Sequence, residues 1–222
     1  MNKPDIDPAA AGAAPVPRRC RSDPPFIYLA SQSPRRSQLL EQLGVRHQLL
    51  LPGPDEDSEA LEGVMANEAP AAYVMRVTQL KLDAALVRLE HRGLAPAPIL
   101  CADTTVALGR AIFGKPTDAA DARRMLSKLS GRTHRVLTSV VIGTTRKREQ
   151  ALNVSRVTFS PMSALRIAAY VTSGESMGKA GAYAVQGRGA AYVSRLSGSY
   201  SGIMGLPMFE TAELLRAFDF RL

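Results

Sequence analysis

The chain has no tryptophan and only two cysteines, Cys20 and Cys101, among its 222 residues. Two cysteines so far apart do not make a disulfide framework, so we expect a reducing compartment and, by default, the cytoplasm. With six phenylalanines and six tyrosines, the chain has few aromatic platforms on which single-stranded nucleic acid could stack. No apolar run approaches the length of a membrane span, and the N-terminus lacks the apolar core of a secretory signal. We therefore expect a cytoplasmic protein that does not bind membranes.

Basic residues outnumber acidic ones, 28 against 20, which gives a formal charge of +8. A positive charge favours a negatively charged partner. Nucleic acid, a membrane surface and phosphorylated small molecules are all negatively charged. The first 24 residues are rich in alanine, proline and aspartate and hold only four basic and three acidic residues, so the excess lies in the rest of the chain. Their composition predicts a disordered leader over 1–24 and a single folded domain over 25–222.

A carboxylate inside an apolar strand is the first candidate functional group. Asp103 directly follows the apolar run 99–102, and a buried carboxylate must be paired, bound to a metal or neutralised. Lys115 comes just after the turn that begins at Gly109, so an acid and a base flank one turn. This arrangement suits a metal and a phosphorylated ligand. The plainer alternative is a strand-end aspartate and a surface lysine.

A second candidate site is the junction between the predicted strand 26–30 and the helix that follows it. Ser33 is placed to cap this helix, whose amide groups and positive dipole end would attract an anion. Arg35 and Arg36 add two cations to the first turn, where the helix dipole disfavours them. This conflict indicates that something negative lies nearby.

A long helix predicted over 71–92 places Lys81 on or beside its apolar stripe. The aliphatic part of the Lys81 side chain either covers apolar surface or directs the ammonium group into a cleft. The acidic run 55–59, which contains Glu56, is typical of a solvated loop, with metal binding by one member as the alternative. Carboxylates together with several cations are what phosphoryl chemistry requires.

Strand and helix patterns alternate along the chain without a strict repeat. They predict further strands over 47–51, 134–145 and 151–159, and further helices over 117–131, 163–173 and 207–218. The prediction is an α/β fold with a mixed central sheet and helices on both faces.

Several segments together resemble the Maf family of nucleotide pyrophosphatases, in the family's order and over roughly residues 26–218. They are LASQSPRRSQLLEQLG (29–44), CADTTV (101–106), GKP (114–116), MLSKLSGRTHRVLT (125–138), KAGAYAVQGRG (179–189) and SGSYSGIMGLPMFETAELL (197–215). The resemblance implies an α/β fold of the Maf/ITPase kind, with two lobes around a cleft. It also implies hydrolysis of a nucleoside triphosphate to the monophosphate and pyrophosphate with a divalent cation, Mg²⁺ or Mn²⁺.

The resemblance also implies roles for individual residues. Asp103 would activate water and ligate metal, and Glu56 would be a second metal ligand. The residues expected to hold phosphates are Ser33, Arg36, Lys81 and Lys115. Gln186 would read the nucleobase, since an amide offers both a donor and an acceptor to a pyrimidine edge.

Within the family, Arg35, Thr104 and Gln186 resemble the branch that acts on dTTP and UTP, with modified pyrimidine nucleotides as further substrates. The branch that acts on 7-methyl-GTP differs at the first two positions and is one alternative. Gly178 stands where the family usually has aspartate, which leaves an inactive relative as another. A third is a non-catalytic, basic nucleic-acid-binding regulator of cell division. We expect a nucleoside triphosphate as partner and no stable nucleic-acid complex, with a homodimer left open.

Overall fold

A mixed β-sheet connects the elements of the chain, and the computed structural model describes residues 26–56 and 60–222. The strands in this part of the chain are β1 (Ile27–Leu29), β2 (His47–Leu49), β3 (Ile99–Leu108), β4 (Ala111–Phe113), β5 (Thr133–Gly143), β6 (Arg148–Phe159) and β7 (Val193–Ser197). The α-helices there are α1 (Pro34–Gln42), α2 (Pro70–His91), α3 (Ala119–Leu129), α4 (Ala164–Thr172), α5 (Tyr200–Met204) and α6 (Met208–Ala217). The leader predicted over 1–24 lies outside the described residues, as do residues 57–59 of the acidic run.

The strands follow the order β2-β1-β3-β5-β6-β7, and β4 also pairs with β3. β1 runs parallel to β2 and β3, whereas the other pairings are antiparallel. The parallel pair β1–β3 requires a long crossover, which contains α1, β2 and α2, while a tight turn suffices between β5 and β6. The predicted mixed sheet is confirmed.

Helices cover both faces of this sheet, as predicted. Side chains alternate along β3, so that Cys101 and Ala107 pack towards α2 while Leu100 and Val106 point to the opposite face. On that opposite face there are two apolar clusters, one with α1 and α6 and the other with α3 and α4. Every residue of β3 except Thr104 and Leu108 is buried, which explains its nearly continuous apolar sequence.

One edge of β3 is only partly paired. β1 pairs with Ile99 and Leu100, and β4 pairs with the other end of the strand from Val106 onwards. Between them, the stretch 102–105 pairs only with β5 on its other side. The sheet therefore has a notch at this edge, and side chains from both faces of β3 can reach it.

Helix α2 agrees closely with its prediction over 71–92. It begins at Pro70, whose fixed φ suits a first turn, and it ends before Gly93, which has φ of +57°. Neither this helix nor any other in the described residues combines the length and apolar character needed to cross a membrane.

Two regions differ from their predicted structure. The turn predicted after Gly109 contains the three-residue strand β4, which is too short to show a period of two. The glycine-rich region 179–205 contains β7 and α5, although no element was predicted there. Both form because tertiary contacts compensate for weak local propensity.

A histidine is buried in the cluster beside α3 and α4. His134 is 1% exposed, and its Nε2 lies 2.8 Å from the hydroxyl oxygen of Tyr183. Its ring also packs edge-on against Phe159. Burial lowers the pKa of His134 to about 4 because the charged form loses its hydration.

This histidine predicts a pH dependence of stability. Between about pH 6.5 and pH 4 the unfolded chain binds a proton at His134 that the native chain does not, so the free energy of unfolding should fall as the pH falls. The loss should total roughly 3 kcal/mol. Urea denaturation at several pH values should show a flatter dependence for His134→Gln, which can still hydrogen-bond Tyr183. The exposed His91→Gln is the control, and parallel curves for the wild type and His134→Gln would contradict this prediction.

Candidate active site

A cavity of about 400 Å³ lies at the notch beside β3. Its walls come from the loop after β1, the exposed edge of β3, and segments that include 178–180, 183–186 and 203–205. Eight of the nine residues selected from the sequence line it: Ser33, Arg35, Arg36, Lys81, Asp103, Thr104, Lys115 and Gln186. The fold thus brings together side chains that lie up to 153 positions apart in the chain.

At the centre of the cavity, two lysines and two carboxylates form a chain of ion pairs. The Lys81 Nζ lies 2.6 Å from Oδ1 of Asp103 and 2.8 Å from Oε1 of Glu62. The Lys115 Nζ lies 3.3 Å from Oε2 of Glu62. Asp103 is 7% exposed, so the pairing supplies the compensation that a buried carboxylate requires.

Glu62 is ionised in this cluster. Burial by itself raises its pKa, but attraction and hydrogen bonds from Lys81 and Lys115 outweigh that effect, so the pKa lies below its usual range. Glu62 ends a single 3-10 turn, Ala60–Glu62, just before the chain enters α2. This turn therefore carries a second carboxylate to the cavity.

Arg36 lies on the other side of β3 from Lys81 and α2. It donates from Nε to the Gly205 carbonyl at 2.8 Å and from one terminal nitrogen to the Ser31 hydroxyl at 3.0 Å. The other terminal nitrogen lies 3.5 Å from the Thr104 hydroxyl. Burial lowers the pKa of Arg36, whereas Asp103 acts in the opposite direction. The guanidinium group is thus oriented by backbone and hydroxyl partners.

The hydroxyl of Thr104 belongs to a polar row that separates the two apolar clusters on this face. Thr104 and Thr138 are cross-strand partners whose hydroxyl oxygens lie 3.0 Å apart. Thr138 donates to the Gly202 carbonyl at 2.7 Å. Thr104 can therefore donate to Thr138 and accept from Arg36, which connects the arginine to α5.

Two more cations line the cavity near Arg36. Arg35 donates from Nε to the Met204 carbonyl at 3.4 Å. Lys179 has a lowered pKa because of burial and, next in size, repulsion from Arg35. A lysine and an arginine that repel each other in a cavity favour an anionic ligand between them.

Ser33 is the residue before α1, as predicted, but its side chain does not cap the helix. Its backbone N–H donates to the Ser31 hydroxyl at 3.2 Å, the same oxygen that accepts from Arg36. The loop thus brings the first turn of α1 and its arginines to the cavity. The serine hydroxyl at this helix start is suited to a ligand rather than to the helix itself.

Glu56 is the predicted site residue that does not line the cavity. Arg88 contacts both of its carboxylate oxygens, at 2.9 Å from Nε and 2.5 Å from a terminal nitrogen to Oε2, and the Gly53 N–H donates to Oε1. Hydrogen bonding by Arg88 is the main reason that the pKa of Glu56 falls to about 2. The carboxylate that shares a lysine with Asp103 is instead Glu62.

Gly178 also lines the cavity, with φ of +67°. A Cβ at this position would meet no atom within 4 Å. An aspartate here, the residue that the resemblance leads us to expect, would therefore have its Cβ in open space rather than in a packed contact. The neighbouring Lys179 is still present in the cavity wall.

Sequence reasoning missed Glu62 and Lys179. Lys179 begins the small-residue segment KAGAYAVQGRG, and its position directly after Gly178 was the available signal. No local pattern distinguished Glu62 from the other acids of its loop. Its role depends on a turn that folds back over α2.

Oxygen donors for a hard cation are present but do not form a complete set. Across residues 26–56 and 60–222, no three aspartate, glutamate, histidine or cysteine side chains cluster as a metal site. Asp103 and Glu62 together offer carboxylate oxygens. This matches Mg²⁺, which commonly binds one or two carboxylates and completes its shell with phosphates and water.

The chain has an α/β fold in which six cationic and two carboxylate side chains surround a cavity at a sheet edge. These features define a class of protein that binds phosphorylated ligands and can act on them. The chain belongs to the Maf-like protein family, whose profile matches residues 26–218.

Curated relatives share most of their sequence with this chain. The dTTP/UTP pyrophosphatase of Albidiferax ferrireducens is 74% identical over 197 residues, which cover 89% of this chain and 98% of the relative. The protein of the same name from a Polaromonas species is 68% identical over the same shares of the two chains. The one from Cupriavidus pinatubonensis is 61% identical over 86% of this chain and 96% of the relative.

The polar row generates a prediction on stability. Thr138→Val removes a buried hydroxyl, so Thr104 loses the acceptor for its hydroxyl proton and the Gly202 carbonyl keeps only the Gly205 N–H, which should cost about 1–3 kcal/mol. Thr133→Val, at an exposed position of the same strand, should change stability by less than about 0.5 kcal/mol. Urea denaturation measures both, and an equal loss in the two variants would contradict the role of the row.

Proposed function

We propose that this protein hydrolyses dTTP and UTP to the nucleoside monophosphate and pyrophosphate, the substrates that the names of its relatives state. The observation that carries the proposal is the ion pair of Asp103 with Lys81 inside a cavity rich in cations. The family match over residues 26–218 supports the prediction of one domain that begins near residue 25. Modified pyrimidine nucleotides are further substrates under this proposal.

The triphosphate would occupy the space between the two groups of cations. Arg35, Arg36 and Lys179 lie on one side, and Lys81 and Lys115 extend from the other. A triphosphate carries several negative charges, and cations fixed before binding neutralise them without further reorganisation. Ser33 adds a hydroxyl at the helix start, where phosphate groups commonly bind.

Asp103 would take the proton of the attacking water. Lys81 occupies Oδ1, which leaves Oδ2 to accept this proton. The water oxygen forms a bond to the α-phosphorus, and the bond from that phosphorus to the oxygen that bridges the α and β phosphates breaks. Pyrophosphate leaves with the electron pair of the broken bond. Lys115 and Arg36 would balance the charge that accumulates on the leaving group.

A divalent cation, Mg²⁺ or Mn²⁺, would be held by Asp103. The geometry favours Glu62 over Glu56 as its second carboxylate, since Glu62 lines the cavity and shares Lys81 with Asp103, whereas Glu56 is outside the cavity wall and pairs with Arg88. The cation would supply charge neutralisation at the phosphates and acidify a bound water.

The nucleobase would lie against Gln186, whose side chain is exposed at the cavity. Its amide group can donate to one edge atom of uracil or thymine and accept from another. Thr104 and Arg35, the residues that resemble the dTTP/UTP branch, line the same cavity. Together with the names of the relatives, this favours pyrimidine nucleotides over 7-methyl-GTP.

Asp103→Asn should lower turnover by about 10²- to 10⁴-fold, the usual contribution of a positioned base. The variant should fold, because Lys81 keeps its ion pair with Glu62. The assay is a panel of nucleoside triphosphates with Mg²⁺ or Mn²⁺, in which pyrophosphate release is scored against orthophosphate release. Asp83→Asn is the matched control, because it removes an exposed carboxylate of α2 that pairs with Arg148 outside the cavity wall. Full activity of a folded Asp103→Asn would reject the assignment.

The two candidate metal ligands can be separated by a binding experiment. Electron paramagnetic resonance titration with Mn²⁺, in the presence of the non-hydrolysable α,β-imido analogue of dUTP, reports metal affinity without turnover. Glu62→Gln should weaken Mn²⁺ binding about tenfold or more, since even outer-shell partners contribute that much. Glu56→Gln should leave it unchanged. The opposite result would assign the metal to Glu56 and leave Glu62 as a partner of the lysines.

A further inference from the structure

The segment that carries Gln186 is held by two side chains that lie outside the cavity. Tyr170 is the seventh residue of α4, and Glu175 follows the end of that helix after a turn at Gly174, which has φ of +77°. The Tyr170 hydroxyl donates to Oε1 of Glu175 at 2.7 Å. Neither residue belongs to the cavity wall.

This pair binds the backbone on both sides of Gln186. Before it in the chain, the Ala184 N–H donates to the Tyr170 hydroxyl at 3.1 Å. After it, the Arg188 N–H donates to Oε2 of Glu175 at 2.8 Å and the Gly189 N–H to Oε1 at 3.0 Å. Three backbone amides therefore depend on one tyrosine and one carboxylate.

The contacts are close enough that a Cβ at either of two positions would displace them. A Cβ on Gly187 would lie 2.2 Å from Oε2 of Glu175, and a Cβ on Gly189 would lie 2.6 Å from the Ala184 carbonyl oxygen and 2.9 Å from the Tyr170 hydroxyl. No real Cβ approaches other atoms so closely. The spacing of the two glycines in GRG thus follows from the need of the backbone to approach this pair.

The ionisation of Glu175 agrees with its role as a hydrogen-bond acceptor. Burial raises the pKa of Glu175, but hydrogen bonds from Gly189, Tyr170 and Arg188 outweigh it, and the net pKa is lowered. Tyr170 is 2% exposed and packs edge-on against Tyr192, so its hydroxyl is fixed in one direction. A carboxylate and a hydroxyl that each accept from the backbone in this way rigidify the segment that they bind.

We propose that Tyr170 and Glu175 are positioning residues for nucleobase selection, and that they hold the segment 184–189 so that Gln186 presents its amide to the pyrimidine. This rests on the proposed function, in which Gln186 reads the base. Neither side chain contacts the nucleotide. Their effect on catalysis passes through the position of Gln186 alone.

The first test is Tyr170→Phe, which removes only the hydroxyl. Because the acid, the lysines and the arginines stay in place, KM for dTTP and UTP should rise about tenfold while kcat stays within about twofold. The preference for dTTP over dCTP, measured as the ratio of kcat/KM values, should fall about tenfold as well. Glu175→Gln, whose amide nitrogen cannot accept from a backbone N–H, should change both in the same direction.

Tyr192→Phe is the matched control, since it removes a hydroxyl from the same aromatic pair at a position outside the segment 184–189. Hydrogen exchange provides a readout without nucleotide: the amides of Ala184, Arg188 and Gly189 should exchange about tenfold faster in Tyr170→Phe and unchanged in Tyr192→Phe. Equal exchange, or equal selectivity, in the two variants would overturn the proposal.

A double-mutant cycle separates this proposal from a general loosening of the fold. In a Gln186→Ala background, Tyr170→Phe should produce no further loss of selectivity, because the residue through which it acts is gone. Additive losses would overturn the proposal while leaving the proposed function intact. A wild-type chain that releases no pyrophosphate from dTTP or UTP would instead overturn the proposed function, which the same assay detects before any variant is compared.

Discussion

The ion pair between Asp103 and Lys81 is the interaction on which the site depends. A carboxylate in the middle of a buried strand needs a compensating charge, and Lys81 reaches it from a helix that packs on the same face of the sheet. The strand, the helix and the acid therefore constrain one another. Glu62 and Lys115 extend this pair into a cluster that faces the cavity.

The second constraint is the notch in the sheet. Because β1 and β4 pair with opposite ends of β3, the central residues of that strand are accessible from its edge. Asp103 and Thr104 point to opposite faces, yet both reach the same cavity. A fully paired strand would have separated the acid and its lysine from Arg36. An incomplete edge is thus what allows one ligand to contact cations from both faces.

The glycine-rich segment after α4 takes a defined shape although its residues have little tendency to form one. Its local propensity is weak, and its shape follows from hydrogen bonds to side chains of another element. Gln186 is consequently exposed on a backbone that is fixed from both sides. This arrangement explains why a segment with few large side chains can present one polar group in a defined position.

Local sequence was sufficient for the long elements. The apolar run before Asp103 predicted β3, and the stripe that includes Lys81 predicted α2, because a periodicity of two or 3.6 is a property of neighbouring residues. Residue types and family motifs also selected five of the eight charged residues that line the cavity. They did not identify β4 or α5, since elements of three to five residues carry too little pattern.

What the sequence by itself determined, then, is the set of long elements, the mixed α/β class and the chemical character of the site, because these follow from local periodicity and from the residue types that a phosphorylated ligand requires. Only the tertiary structure determined which glutamate shares Lys81 with Asp103. Glu56 and Glu62 are equivalent in composition and lie six residues apart, but Arg88 binds the first and Lys81 the second. That choice depends on distances across the fold, which no local pattern contains.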